Sequence, residues 1–210
     1  AGPVMDAAAA IARARELSGR AGPRFVLGLA GPPGAGKSRL AGRLAAAAGP
    51  QAVVVPLDGF HLADVELARL GRLGRKGAPD TFDPAGYLAL LRRIRAAEPG
   101  VIVYAPAFGR ELEQPVAGSI PVPPDARLVI TEGNYLLFDE QPWHQIRDLL
   151  DEVWWIDLPD PLRRGRLTAR HIASGKSPDE ARRFVWESDE ANATAVASGR
   201  DRADRIVLPG

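Results

Sequence analysis

Residues Gly31-Pro-Pro-Gly34-Ala35-Gly36-Lys37-Ser38 carry the densest chemistry in the sequence. They match G-x-x-x-x-G-K-[ST], the phosphate-binding loop. Its glycines let successive backbone N–H groups curl around one centre, and the helix that follows adds the positive end of its dipole. In such a loop Lys37 reaches the β- and γ-phosphates of a nucleoside triphosphate, Ser38 offers its hydroxyl to Mg2+, and Arg39 extends the nucleotide-binding stretch. Two carboxylates complete the set. Asp58, just past a second apolar stretch, can accept a hydrogen bond and then the proton of an attacking hydroxyl, assistance that contributes ~10²–10⁴-fold. Glu132 ends the apolar run Leu128-Val-Ile-Thr131 and suits Mg2+ or its bound water. The plainer readings are an Asp-Gly turn and a solvent-facing strand end.

These residues need a scaffold that brings three chain segments to one edge. Residues 24–30, 51–56, 101–104, 127–132 and 152–158 read as apolar strands, with 205–208 as a last edge strand. Helices are expected over 6–18, 37–48, 83–97, 161–171 and 178–196, with Asp83-Pro84 as an N-cap and first-turn proline. Arg69 to Asp80 reads as a mobile polar loop, and the Pro-rich stretch 105–125 as a long surface loop. Strands alternating with helices predict an α/β fold with a mainly parallel sheet covered on both faces. In such a sheet, ligands gather at the carboxyl edge of the strands. The 210 residues, without repeats or a linker, read as one domain. Met5 is the only methionine, and on position alone Ala1 to Val4 read as an added leader.

Composition narrows the partners. With 27 basic and 26 acidic residues the net charge is +1, which gives no broad field for nucleic acid or an anionic membrane. No cysteine is present, so disulfides, iron–sulfur clusters and thiolate zinc sites are excluded, and the three histidines have no paired spacing for zinc. No apolar run reaches the roughly 18–20 residues of a membrane span, and the start lacks a secretory signal, so the expected location is cytoplasmic. The chain has no Asn-Lys-x-Asp guanine motif and is short for a mechanical ATPase module, which leaves a compact phosphotransferase.

The chain resembles the phosphoribulokinase/uridine kinase family of P-loop kinases, to which bacterial pantothenate kinase is related. The likeness runs through Gly31–Ser38, Leu57-Asp-Gly-Phe-His-Leu62, Arg75–Asp83, Tyr104–Arg110, Glu132-Gly-Asn-Tyr-Leu-Leu137 and Arg166–His171. It looks closest to a bacterial branch labelled nucleoside/nucleotide kinase or fructose-transport kinase. The resemblance implies a P-loop NTPase three-layer sandwich, with a parallel five-stranded core of order 2-3-1-4-5 and a helical lid near residues 163–178. It implies ATP and Mg2+ as cofactors, Asp58 beside the acceptor hydroxyl, Glu132 beside the metal, and Arg166 and Arg170 as lid residues on the phosphates. A closing arginine can neutralise transition-state charge and exclude water. At i and i+4 the two arginines equally suit a solvated helix face. Gly109 stands where the branch usually has an acid, which removes an acceptor of hydrogen bonds from the substrate pocket.

The expected partner is a small-molecule acceptor with a free hydroxyl: a nucleoside first, a fructose-like sugar or pantothenate as alternatives. A homodimer stays open. The acceptor pocket is assigned to His61, Tyr104, Phe108 and Arg110 alongside Asp58 and Glu132, with Arg110 suited to a polar substituent or carboxylate. Local packing explains His61 equally well. A rival of another class is a regulatory P-loop protein that senses nucleotide and has no acceptor. Of the basic residues only Lys37, Lys76 and Lys176 are lysine. Lys37 fills a slot where a slim point charge fits and a forked guanidinium does not. Lys76 and Lys176 are leads without an assigned role, as are Asp189 and Asn192.

Overall fold

Period-two alternation in the apolar strands sorts their side chains onto two faces, and each face has its own core. In the computed structural model, which describes residues 2–209, the strands are β1 (Val4–Asp6), β2 (Phe25–Ala30), β3 (Ala52–Pro56), β4 (Val103–Gly109), β5 (Gln114–Val122), β6 (Leu128–Gly133), β7 (Glu152–Ile156) and β8 (Arg205–Leu208). The helices are α1 (Ala7–Gly19), α2 (Lys37–Ala48), α3 (Asp64–Arg69), α4 (Pro84–Ala96), α5 (Asp160–Ala173), α6 (Pro178–Phe184) and α7 (Glu190–Val196). Val26, Val129, Val153 and Trp155 face a core that includes Tyr87, Leu91 and Ile94 of α4. Leu27, Leu29, Ile130 and Trp154 face the opposite core with Ala10 and Ala14 of α1 and Leu40 and Leu44 of α2. Each such side chain contributes ~1.5–3 kcal/mol on burial. The three-layer α/β sandwich follows from this alternation.

The main sheet is wholly parallel, in the order β1-β8-β7-β2-β6-β3. Counted along the chain, β2, β3, β6, β7 and β8 take the order 2-3-1-4-5, as the resemblance implies. Three details differ from the sequence expectation. The sheet has six strands, because β1 pairs with β8 and leaves it inside the edge. Ile206 donates its N–H to Pro3 O at 3.0 Å, so the residues just before Met5 belong to the sheet.

The third expected strand is not in the sheet at all. Val103–Gly109 pairs antiparallel with Gln114–Val122, and the Pro-rich "loop" is this two-stranded arm. With only two strands, both are edges, and an edge tolerates proline because no ladder partner needs its N–H. The 69–80 stretch is also more tightly held than expected. Arg72 and Arg75 both pair with Asp80, at 3.4 and 2.5 Å, and Lys76 pairs with Asp64 at 2.7 Å.

The register places the chemistry. Pro56 lies opposite Glu132, and Glu132 opposite Leu29, so the carboxyl ends of β3, β6 and β2 are level. Thr131, next to Glu132, is fully buried. Its hydroxyl donates to Val55 O (2.7 Å) and shares a bond with Tyr87 Oη (2.6 Å), which pins β6 to β3 and α4.

Candidate active site

The loop between β2 and α2 adopts the curl its glycines allow. Gly34 has φ +79°, and a Cβ there would meet Leu167 Cγ at 2.7 Å and Arg163 O at 2.9 Å, so α5 packs directly on the loop. Gly36, with φ +95°, caps α2, and Arg166 Nη1 lies 3.3 Å from where its Cβ would stand.

Lys37 is almost fully buried. Its ammonium donates to Gly31 O (3.0 Å), Pro32 O (3.0 Å) and Asn134 Oδ1 (2.6 Å). Three acceptors around one point charge suit an ammonium and not a planar fork. Burial pushes Lys37 down to about 8, with Arg170 and Arg163 adding to the push and the charges of Glu132 and Asp58 opposing it.

Ser38 Oγ donates to Glu132 Oε1 at 2.9 Å. Glu132 is buried, and burial followed by the nearby charge of Asp58 pushes its carboxyl up to about 7. Lys37, Ser38 and Arg110 pull the other way. One hydroxyl and one carboxylate form a fitting Mg2+ edge, since that ion keeps waters and phosphate oxygens for its remaining positions. Among the described residues no cluster of three or more His, Asp or Glu side chains could hold a metal.

The raised Glu132 value has a consequence for stability. The folded state holds this proton more tightly than the unfolded chain, so its contribution is complete below pH ~4.5 and is lost as pH rises through about 7. Thermal scans of the nucleotide-free protein should show a stability decline on the order of 3 kcal/mol across that window. Glu132→Gln should flatten it, and an identical decline in the variant would assign the effect elsewhere.

Asp58 sits in a 3-10 turn (Leu57–Phe60) directly after β3. Its carboxylate is exposed and has no hydrogen-bond or salt-bridge partner among the described residues, while its field reaches Glu132, Lys37 and His61. Gly59 beside it is required by close approach: a Cβ would lie 2.4 Å from Pro106 O of β4. The arm is thereby pressed against the Asp58 turn.

His61 uses Nδ1 to bond Asp58 O at 2.8 Å, and its ring lies between Phe82 (4.0 Å) and Phe108 (4.9 Å). Burial lowers its pKa from the usual histidine value. His61 thus packs locally, against the Asp58 turn and the Phe108 ring of the arm. Arg110 is exposed on the arm, without a partner, and its charge acts on Glu132. Tyr104 is a correction. The alternation of β4 turns it outward, 53% exposed, while Ala105 points in, and no bond or ring contact joins it to Asp58, His61 or Glu132.

On the nucleotide side, Arg39, Arg43, Arg166, Leu40, Gly36 and Pro209 line a small crevice at the end of the loop. Among the described residues Arg39, Arg43, Arg166 and Arg170 have no salt-bridge partner, unlike most arginines of the chain, which are engaged with carboxylates or carbonyls. Lys176 lies 5.1 Å over the Phe184 ring, and no bond joins it to the loop.

Two site residues escaped the sequence reading. Asn134 was quoted within a motif but given no role, although it accepts from Lys37. Arg163 is 1% exposed and donates to Pro33 O (3.2 Å), Asp160 (3.1 Å) and Glu190. The available signal was spacing: 163, 166 and 170 fall at i, i+3 and i+7 on one helix face. Arg163→Ala would strand Glu190 in a largely buried position, and breaking such a pair costs about 3–5 kcal/mol. Chemical denaturation should show that loss together with weaker nucleotide binding. A change below about 1 kcal/mol would mean Arg164, which also pairs with Glu190 at 2.9 Å, carries the carboxylate alone.

A parallel sheet with this strand order, a phosphate loop after its first core strand and acids at the two neighbouring strand ends define a P-loop kinase. No protein-family model matches the chain. An ATP-dependent kinase-like protein of Aspergillus versicolor is 34% identical over 164 residues, covering 73% of this chain and 94% of that protein. A Schizosaccharomyces pombe protein provisionally named a uridine kinase is 35% identical over 196 residues, 88% of this chain and 83% of its own length. A Silicibacter crystal structure, provisionally described as a fructose transport system kinase, superposes with TM-score 0.85 at 37% identity, covering 97% and 98% of the two chains. The chain belongs to the uridine kinase-like family of P-loop kinases. No described helix is long and apolar enough to cross a membrane.

Proposed function

We propose that the protein transfers the γ-phosphoryl group of ATP to a hydroxyl of a small metabolite, with a nucleoside-type acceptor as the leading class. The observation that carries this reading is Asp58: a carboxylate without a protein partner, between the Lys37 cradle and the His61–Phe108 ring wall. A purely regulatory nucleotide sensor has no need of a free carboxylate there.

The loop amides and Lys37 hold the β- and γ-phosphates. Arg166 and Arg170 face the transferring group from α5 and offset its charge, while the Arg39–Arg43–Pro209 crevice takes the base. Ser38 and Glu132 are the groups that would hold Mg2+, whose bound form neutralises charge on the phosphates. Asp58 aligns the acceptor hydroxyl and takes its proton as the oxygen–phosphorus bond forms and the bond to the ADP oxygen breaks. The proton then passes to solvent from the exposed carboxylate. Use of ATP as donor accords with a cytoplasmic location.

The His61 and Phe108 rings, 4.9 Å apart and tilted at 51°, offer aromatic surface on the acceptor side that suits a planar ring in the acceptor. A sugar acceptor is the second reading, supported by the name given to the 37%-identical Silicibacter structure. Coupled ADP-release assays over nucleosides, ketoses, aldoses and pantothenate decide between them. Acceptor-dependent release with one class supports the kinase reading, and acceptor-independent ATP loss throughout supports the nucleotide sensor.

A further inference from the structure

Two buried polar residues take no part in the chemistry above. Asp189 is 6% exposed and Asn192 is 9% exposed. They flank Glu190 where a single π-helical turn (Val185–Asp189) meets α7, and such turns recur at functional positions.

This short stretch reaches in two directions. Toward the nucleotide side, Asp189 Oδ2 bonds His171 Nε2 at 2.8 Å, and Glu190 holds Arg163 and Arg164. All three partners are on α5, the helix that carries Arg166 and Arg170. Toward the acceptor side, Asn192 Nδ2 donates to Gly77 O at 3.4 Å.

Gly77 is the middle of the segment that closes the acceptor side. Its carbonyl also accepts from Tyr135 Oη at 2.6 Å, and Tyr135 follows the Asn134 that holds Lys37. Lys76, one residue earlier, bonds Asp64 Oδ1 of α3 (2.7 Å) and Glu113 O at the tip of the arm. Gly77 N donates to Thr81 Oγ1, Thr81 O accepts from Leu62 N at 2.9 Å, and the next residue, Phe82, lies against the His61 ring. Gly77 O thus joins α7 to the acceptor-side segment through a side-chain bond.

The two bonds to that carbonyl differ. The tyrosine bond is short and made. The asparagine contact, at 3.4 Å, is longer than an ordinary N–H···O bond and has several tenths of an ångström left to tighten. A movement of α5 onto bound phosphates acts on α7 through the Asp189 and Glu190 contacts, and Asn192 is where α7 meets the acceptor segment.

We propose that Asn192 is a positioning residue that transmits nucleotide-driven closure of α5 to the acceptor segment through the Gly77 carbonyl. The assignment rests on ATP occupying the phosphate loop, as proposed above. It gives the reaction an order of assembly: a loaded nucleotide site tightens the acceptor pocket around a hydroxyl, so the two substrates bind with positive coupling. A readout of the segment itself tests the coupling.

The amides of Gly77, Ala78 and Thr81 are all hydrogen bonded within the segment, so their exchange with deuterium reports its opening. The probe is the Mg2+ complex of a non-hydrolysable ATP analogue, with its affinity measured calorimetrically in every variant. In the unaltered protein the analogue should slow these amides by roughly 2–10-fold, the factor one hydrogen bond of ordinary strength commands. In Asn192→Leu and Asn192→Asp the slowing should vanish, while analogue affinity stays within about twofold and protection of α5 persists.

Tyr135→Phe is the structural comparison. Its bond is already made without nucleotide, so the variant should speed exchange of the segment in both states and leave the analogue's slowing in place. Equal slowing in the Asn192 variants and the unaltered protein overturns the proposal. So does a segment indifferent to the analogue in the unaltered protein. Failure of the analogue to bind at all would overturn the reading of the nucleotide site itself, and calorimetry shows that result separately.

Discussion

Asp58→Asn lowers phosphoryl transfer by roughly 10²–10⁴-fold while the affinity for Mg2+ and ATP stays close to that of the unaltered protein. The carboxylate lacks any protein partner, so its replacement strands nothing and the fold is untouched. The amide keeps the shape and can still orient a hydroxyl, but it cannot take the proton. Two further signs accompany the loss. Glu132 is held up partly by the charge of Asp58, so its pKa falls in the variant, and so does that of His61, whose proton that same charge helps to hold. Measured kcat with a true acceptor, beside calorimetric nucleotide affinity, checks the first claim. Turnover that survives the change removes Asp58 from the role of base.

Lys37→Met is the second large effect, and it acts on the other substrate. Lys37 meets three converging acceptors and belongs to the cradle for the transferring phosphoryl group. Loss of one such charge-stabilising donor costs about 10²–10³-fold in kcat. Binding of ATP weakens as well, unlike in Asp58→Asn. Lys37→Arg keeps the positive charge, yet a planar fork does not fit between Gly31 O, Pro32 O and Asn134 Oδ1, so it should recover less than a tenth of the activity. The partner acid reports the change: without the lysine, Glu132 rises further above about 7. Near-normal transfer in Lys37→Arg would show that charge alone, and not its shape, is what the cradle requires.

The phosphate loop was legible because its residues are local in sequence and their spacing is fixed by the curl itself. The strand-end acids were legible for a related reason: parallel strands put their carboxyl ends on one edge, and Asp58 and Glu132 each close an apolar run. The covered parallel sheet was legible in apolar strands alternating with helices along the chain. The arm was not legible, because Pro106, Pro115 and Pro121 read as loop signals, and only an isolated pair of edge strands tolerates them. Tyr104 was misplaced with it, since the face it occupies depends on a register that bulges between Ala105 and Ala107.

Arg163 was hidden, and Asn192 was noted without a role, for a different reason. Their partners, Pro33 and Gly77, are backbone carbonyls 130 and 115 residues away in sequence. No residue type marks a carbonyl as an anchor, and among 24 arginines the buried Arg163, like the buried Arg24, carries no distinguishing signal in composition. Lys76 lies between these cases. Its rarity singled it out, and the structure gives it two concrete partners, Asp64 and the Glu113 carbonyl.

The central claim is that the γ-phosphoryl group ends on an acceptor hydroxyl. Phosphorus NMR of the complete reaction, run with whichever acceptor releases ADP fastest, reads that fate directly. The account predicts one phosphomonoester formed per ADP, with inorganic phosphate accumulating far more slowly. Inorganic phosphate appearing in step with ADP, with no ester signal for any acceptor class, would contradict it.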